Sequence, residues 1–417
     1  MKKTFLGLLI DFKHVPHHAL ANQLLYKEIS KNIDEFFIID IAKIQLKLFK
    51  DSFLDWDRFR YPIRDRFKNE SDFISHLKTL LPPKCKFYQP IDLNEFDEFL
   101  KKNDILLINS IDRNFKNFSI YSKLKKNNIK HFIISNIANN DSPNIKHNFS
   151  QKLNYFLGRT IQHKIYVLFC LLKIFNKVEI RFDNNQNFYK WWIKNQKIKK
   201  YFFWKNSFFK KMIQVNSLAY DEFVLSNLKV TNDYIVLIDA NLNHKDDVAI
   251  RGNLSEEVVS KHYKLLNEHL EHLSKIYDKE VIVCIHADYD IKKTQNYFKN
   301  FKVLKHRTRE FIYKSFLVVF YESTVIADAF WLKKNIISLK PDFEWITNGT
   351  RYNKNFGTVF LDITKEDQKN MEKKKLTNEL EISKIGYDKY IDTYIKTGTN
   401  EVGIYKIINI LKNFFNE

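Results

Sequence analysis

Two successive α/β domains, each built on a parallel sheet, are what this sequence predicts, and three observations carry the prediction. Short apolar runs alternate with stretches of helical spacing in both halves of the chain, the rhythm of strand–helix–strand units. The runs are bounded by polar residues, as in strands buried on both faces. At 417 residues the chain is long enough for two such cores.

The elements follow in order. Thr4 to Ile10 reads as a first buried strand, and Leu20, Leu24, Leu25 and Ile29 mark a helix after it. Glu35 to Ile41, Asp104 to Asn109 (DILLIN) and Lys130 to Ser135 are strands, and Tyr121 to Asn127 lies in a helix. From about 150 to 214 the rhythm breaks: aromatic residues alternate with lysines between Tyr189 and Lys211. This segment reads as an insertion in a first domain spanning 1–214. It is either a helical lid or core element, or a surface that sits on anionic membrane.

The second domain, 215–417, is more legible. Tyr234 to Ala240 is a strand, and Ser255 caps a long amphipathic helix to Tyr277 with Glu256 and Glu257 in its first turn. Val281 to Ile285, Val303-Leu304 and Phe316 to Phe320 are strands, Thr324 to Leu332 is a helix, and Ile336 to Leu339 closes the sheet. Val402 to Phe415 suits a C-terminal helix packed on the body.

Composition excludes several classes. With 44% hydrophobic and 28% charged residues the chain is globular and not globally disordered. Three widely spaced cysteines without a CxxC pair argue against a disulfide framework or a structural zinc site. A net charge of +20 would attract nucleic acid, anionic lipid or phosphorylated substrates. Abundant Lys, Asn, Ile, Phe and Tyr with 8 Gly and 7 Pro also fit an AT-rich coding bias, which accounts for part of that charge. Met1-Lys2-Lys3 and the apolar run behind it mimic a signal peptide, but Asp11, Lys13 and His14 interrupt it at once. Ile165 to Phe175 is broken by Lys173 and falls short of the roughly 20 residues a bilayer requires. The expectation is a cytoplasmic protein without an anchor, peripheral on the inner face of the inner membrane.

In open α/β sheets ligands bind outside the carboxyl ends of the strands, and four strand ends in the second half present polar groups. Asn241, Asn243, His244, Asp246 and Asp247 follow the first of these strands, and His286, Asp288 and Asp290 the next. Lys305 to Glu310 includes Thr308, as a helix cap, and Arg309, as a phosphate clamp or part of a solvated turn. Glu322, Ser323 and Thr324 stand where a strand hands over to a helix, so free N–H groups and hydroxyls together make an anion site. Ser323 reads equally as the cap of an ordinary helix, and His286 as a loop histidine. The aspartates lack a matching ligand set for a divalent metal and read as solvated loop carboxylates.

The stretch Val215 to Leu339 resembles the C-terminal half of bacterial surface-polysaccharide glycosyltransferases of the GT-B type. The likeness rests on VNSLAYDEF, YIVLIDANLNHKDD, VIVCIHADYD and FYESTVIADAFWLKKNIISL. It is also similar to sialyl- and Kdo-type transferases that use CMP-activated sugars. Those carry a His-Pro pair at a strand end and a Ser/Ser-Thr motif before a helix; His286-Ala287 here lacks the proline. The resemblance implies two Rossmann-like domains facing a cleft, with acceptor bound by the first and a nucleotide-sugar donor by the second. It implies donor contacts from His286, Ser323 and Thr324, to which Thr308, Arg309 and Glu322 are joined by position. An acceptor hydroxyl would lose its proton to a base after the first strand, Asp11 or His14, without metal or cofactor. The partners expected are a nucleotide-sugar and a glycan or lipid-linked acceptor of lipopolysaccharide or capsule, and no nucleic acid. Three competing readings are a single-strand nucleic-acid binder, a GT-B-shaped nucleotide-sugar epimerase or hydrolase, and a non-catalytic assembly partner.

Overall fold

The computed structural model describes residues 4–10, 20–33, 35–49, 75, 85–111, 117–135, 162–196, 208–226, 228–239, 242, 254–285, 291–298, 300–321, 323, 325–340, 348–396 and 401–415. The chain divides into two compact units. One comprises Met1–Asn136, Lys146–Glu222 and Thr399–Glu417, the other Ile137–Ile145 and Phe223–Gly398.

The described strands of the first unit are β1 (Thr4–Ile10), β2 (Phe36–Asp40), β3 (Cys85–Tyr88), β4 (Asp104–Asn109), β5 (His131–Ser135), β6 (Val178–Asp183) and β7 (Phe209–Gln214). They lie in the order β3-β2-β1-β4-β5-β6-β7 with parallel pairings throughout. Alternation in β1 sends Leu6, Leu8 and Ile10 to one face, against Leu25 and Ile29 of the helix Leu20–Asn32 and against Ile404, Ile407, Ile408 and Leu411 of the helix Gly403–Phe415. Leu9 joins Ile39, Ile105 and Leu107 on the other face, beneath Phe96, Tyr121 and Tyr166. Burying each such aliphatic side chain contributes about 1.5–3 kcal/mol. Gly7 sits in the middle of β1, where a Cβ would lie 2.6 Å from Leu107 Cδ2 and 2.9 Å from Ile39 Cδ1. Its bare backbone lets the flanking strands close their side chains over β1.

The second unit has β8 (Tyr234–Ile238), β9 (Glu280–Ile285), β10 (Lys302–Lys305), β11 (Ser315–Phe320), β12 (Asn335–Lys340) and β13 (Val359–Asp362). Their order is β10-β9-β8-β11-β12-β13, again parallel. The long helix Glu256–Tyr277 begins as its sequence indicates: Ser255 Oγ accepts from Val258 N at 3.3 Å, with Glu256 and Glu257 in the first turn. Its apolar stripe, Val259, Leu266, Leu270 and Leu273, packs on Ile235, Leu237, Val281 and Val283 of the sheet.

The structure corrects three expectations. The described residues of 150–214 form no insertion, because β6 and β7 extend the first sheet beyond β5, and Trp192, Phe208 and Phe209 belong to its core, as the core-element reading expects. These strands escape a search for apolar runs because Glu179, Arg181, Lys210 and Lys211 occupy their less buried positions. The strand expected to close the second sheet, β12, is followed outward by β13. The division between units falls at Glu222/Phe223, eight residues past the expected 214/215, and residues 399–417 join the first unit instead of the second.

A buried carboxylate explains that last assignment. Asp221 is fully buried; its Oδ1 accepts from Gly403 N at 2.9 Å and its Oδ2 from Ile404 N at 2.7 Å, capping the last helix. Asn216 Nδ2 donates to Glu401 O at 2.8 Å beside it. A Cβ on Gly403 would stand 3.0 Å from both Asp221 Oδ2 and Asn216 O, so the helix approaches closely only as glycine. Burial pushes the Asp221 carboxyl up to about 7, against the pull of the two N–H groups.

Asp221→Ala is expected to lower the unfolding free energy by about 1–3 kcal/mol, since two helix N–H groups lose their acceptor. A carboxyl whose folded pKa lies above its unfolded value stabilises most at low pH. The wild-type advantage over Asp221→Ala in urea unfolding therefore shrinks as pH rises from about 4 to 7; an advantage that grew over that window would contradict the assignment.

Candidate functional site

Each sheet reverses its direction of growth once, between β1 and β4 and between β8 and β11, and crossover connections diverging from that point leave a crevice at the carboxyl ends. In the second unit β8 leads into Asp239 and β11 into Tyr321, both buried. The register pairs Ile238 with Phe320, so these two residues emerge side by side. The long helix supplies a partner to each. Tyr263 Oη donates to Asp239 Oδ2 at 3.1 Å, and Tyr321 Oη meets His262 Nε2 at 3.0 Å. Tyr263 is held by stacking on Tyr297 (centroids 4.5 Å apart) and by the edge of Phe298. Burial, with the Asp239 charge adding to it, pushes the Tyr321 hydroxyl well above its ordinary range. Tyr321 therefore stays a neutral hydrogen-bonding group.

Ser323 lies two residues past Tyr321. Its Oγ accepts from Val325 N and its carbonyl from Ile326 N, both at 3.4 Å, forming a turn ahead of the helix Ile326–Trp331. The helix starts two residues later than expected, and Val325, without a side-chain cap bond, holds the cap position. Ser323 thus orders the turn at the strand-to-helix junction.

Thr308 and Arg309 begin the helix Thr308–Lys314. Thr308 is inside the helix rather than its cap, which is Arg307 without a side-chain cap bond. Burial pushes the thiol of Cys284, the last residue but one of β9, up to about 12, and Thr308 pulls it the other way. Arg309 Nε donates to Asp328 Oδ2 at 2.6 Å, both side chains being largely buried. Burial pushes the Asp328 carboxyl up while Arg309 pulls it down. The pair ties the helix Thr308–Lys314 to the helix that Ser323 precedes. Arg307 and Glu310 form a two-point pair at 2.7 Å for each bond, and Arg307, with Lys314, draws the Glu310 carboxyl down to about 2. Asp11, His14, His286, Glu322 and Thr324 lie outside the described residues. The strands just before them, β1, β9 and β11, end at Ile10, Ile285 and Phe320.

The carboxyl edge of the first sheet carries Asp40, Asn109, Ser135, Asp183 and Gln214 at the ends of β2, β4, β5, β6 and β7. Asp40 Oδ1 accepts from Ala42 N at 3.1 Å, Asn109 Oδ1 from Ile111 N at 3.0 Å and Asp183 Oδ1 from Asn185 N at 2.8 Å. These are side-chain turns that fix the loops leaving the edge. Arg181 bonds Asp183 Oδ2 at 2.8 Å and reaches Ser135 Oγ at 3.3 Å. These residues, and Asp239, lie outside the site that the sequence motifs predict. The signal was available as an apolar run ending in Asp or Asn: FFIID, DILLIN, VEIRFD, YIVLID. Among the described residues no group of three or more His, Cys, Asp and Glu side chains has metal-holding geometry.

No protein-family model and no curated protein sequence matches the chain. Solved structures do match over its whole length. A protein assigned as a UDP-N-acetylglucosamine 2-epimerase from Listeria monocytogenes aligns with 100% of this chain and 97% of its own, at 12% identity and a TM-score of 0.53. A variant of the wall teichoic acid polymerase TagF, soaked with CDPG, aligns with 99% of this chain and 88% of its own, at 10% identity and a TM-score of 0.54. S. aureus MnaA, solved with UDP, aligns with 100% and 97% at 11% identity and a TM-score of 0.50. The fold is GT-B. Within the GT-B frame each unit is one Rossmann-like sheet, and the C-terminal helix returns to the first unit.

Breaking the Arg309–Asp328 pair from one side, as in Asp328→Asn, is expected to cost about 3–5 kcal/mol in urea unfolding, because a largely buried guanidinium loses its counter-charge. The double variant Arg309→Met, Asp328→Leu should recover most of that loss. Full stability in both single variants would contradict a structural ion pair.

Proposed function

We propose that the chain is a metal-independent GT-B glycosyltransferase that moves a sugar from a pyrimidine-nucleotide donor, CMP-linked by preference, to a bacterial surface glycan such as lipopolysaccharide or capsule. The observation that carries this reading is the reversal point of the second sheet. There Ser323 orders a strand-to-helix turn beside the buried Asp239–Tyr263 and Tyr321–His262 pairs. The GT-B neighbours solved with UDP and with CDPG support a nucleotide ligand.

In this reading the second unit holds the donor. Ser323, Thr324 and the turn N–H groups bind its phosphate, His286 donates to a phosphate oxygen and Glu322 lines the approach, while Thr308 and Arg309, whose guanidinium is held by Asp328, position the neighbouring helix. The leaving nucleotide gains negative charge as the glycosidic bond breaks, and fixed N–H dipoles, hydroxyls and cations stabilise that charge without reorganising. The first unit binds the acceptor, whose hydroxyl loses its proton to Asp11 or His14 as its oxygen attacks the anomeric carbon. An epimerase is the second reading, favoured by the neighbour assigned that activity and by its 97% coverage. It needs the donor site alone and no acceptor.

A ligand that binds only the folded protein raises stability, by about 2.7 kcal/mol at a hundredfold excess over its Kd. CMP is expected to raise the thermal midpoint without Mg²⁺, and Ser323→Ala to weaken that binding roughly tenfold or more through loss of a hydrogen bond to a charged group. A response to UDP alone would change the donor and keep the site. Silence toward CMP, UDP, GDP and ADP at millimolar concentration would contradict the proposal.

A further inference from the structure

The amino edge of the first sheet, opposite the edge assigned to ligands, carries an exposed apolar tip set among lysines. Past the helix Gln162–Leu171 the chain turns with Leu172 and Ile174 exposed, at 61% and 46%. The turn is built, not loose. Lys173 takes a left-handed backbone (φ 60°), Ile174 N donates to Phe169 O at 2.8 Å, and buried Phe175 packs edge-on to Phe118 and Phe169. Asn176 Nδ2 donates to Ile129 O at 3.2 Å and Leu124 O at 3.5 Å, fastening the tip beside the end of the helix Phe118–Lys126.

The charge there is one-sided. Residues 97–104, 123–130 and 172–177 hold eight lysines against three acids. One of those acids, Asp97, is shared by Lys101, Lys123 and Lys126 at 3.1, 3.3 and 2.9 Å, and Lys126, with Asn127 and the other two lysines, holds its carboxyl well below the usual range. Lys125, Lys173 and Lys177 form no ion pair with a described residue. Two apolar side chains are too few for a protein interface, which takes about 800 Å² per partner. Apolar side chains among lysines that outnumber the acids match the interfacial zone of an anionic bilayer instead.

We propose that this edge docks on the surface of an anionic membrane, with Leu172 and Ile174 entering the headgroup boundary and the surrounding lysines meeting lipid phosphates. Docking here leaves the carboxyl edge, about 20 Å away across strands of five or six residues, facing away from the lipid. The surface replaces the Tyr189–Lys211 stretch as the membrane-facing region, since the described aromatics of that stretch include the core residues Trp192 and Phe209. The inference does not depend on the donor or acceptor, and neither is present in its test.

The test is flotation of the full chain with phosphatidylcholine vesicles, with and without 30% phosphatidylglycerol. Binding is expected only to the anionic vesicles and is expected to fall in high salt. At about 1 kcal/mol per lysine, Lys125→Gln, Lys173→Gln, Lys177→Gln together should weaken partitioning about a hundredfold. Leu172→Ser, Ile174→Ser should weaken it with an unchanged thermal midpoint. Wild-type partitioning in either variant, equal binding to neutral vesicles, or binding to a single-stranded oligonucleotide with no vesicle binding would overturn the proposal.

Discussion

Right-handed crossovers between parallel strands are the constraint on which everything else in this protein rests. A strand that continues a parallel sheet must return through a helix, and that return packs well with one hand only. Starting from a central strand, the chain adds neighbours to one side with helices on one face. It then passes back over the start and adds neighbours on the other side. Both sheets here grow on either side of a central strand, reversing beside β1 and beside β8. The reversal separates two helices that would otherwise abut, and the gap opens at the carboxyl ends whatever the side chains are. In the second unit the residues that stand at that point are Asp239, Tyr321 and the turn at Ser323.

Parallel strands also make the two edges of a sheet chemically unlike. At the carboxyl edge loops begin with N–H groups that need acceptors, and Asp40, Asn109, Asp183 and Asp362 each bond the N–H two residues on. At the amino edge helices end with carbonyls that need donors. Lys334, buried and pushed down to about 8, donates to Thr231 O and Ser315 O at 2.6 and 2.7 Å, and Asn103, Asn127 and Asn176 donate to the helix-end carbonyls of Phe99, Lys123 and Leu124. An unmet backbone group in such a place costs about 1–3 kcal/mol. Strand-end aspartates of the first sheet therefore hold loops in shape, whereas Asp239 is tied to a tyrosine of the long helix and stands at the reversal.

Legibility in the sequence followed burial. Strands buried on both faces, such as β1, β4 and β11, stand out as apolar runs, and the long helix announces its start through Ser255, Glu256 and Glu257. β3, β6, β7 and β13 are short or have half-exposed positions that accept charge, and they leave no such run. The return of the last helix to the first unit was invisible because Asp221 and Gly403 are 182 residues apart. At the site, Ser323 was legible as a strand-to-helix junction. Arg309 was legible as a cation but not as the partner of Asp328, since helical spacing says nothing about contacts between two helices. The buried pairs of His262 and Tyr263 were hidden within an amphipathic stripe that reads as core.

The proposed reaction is the transfer of a sugar from a nucleotide donor to an acceptor. Acceptor-dependent release of nucleotide tests it most directly: purified protein, one CMP-sugar at a time, with and without a surface glycan fraction, the free nucleotide being quantified. With transfer, release rises at least tenfold when acceptor is present and the glycan gains the mass of one sugar. Release or isomerisation of the donor at the same rate without acceptor, with no gain in glycan mass, would contradict transfer and establish the epimerase or hydrolase reading.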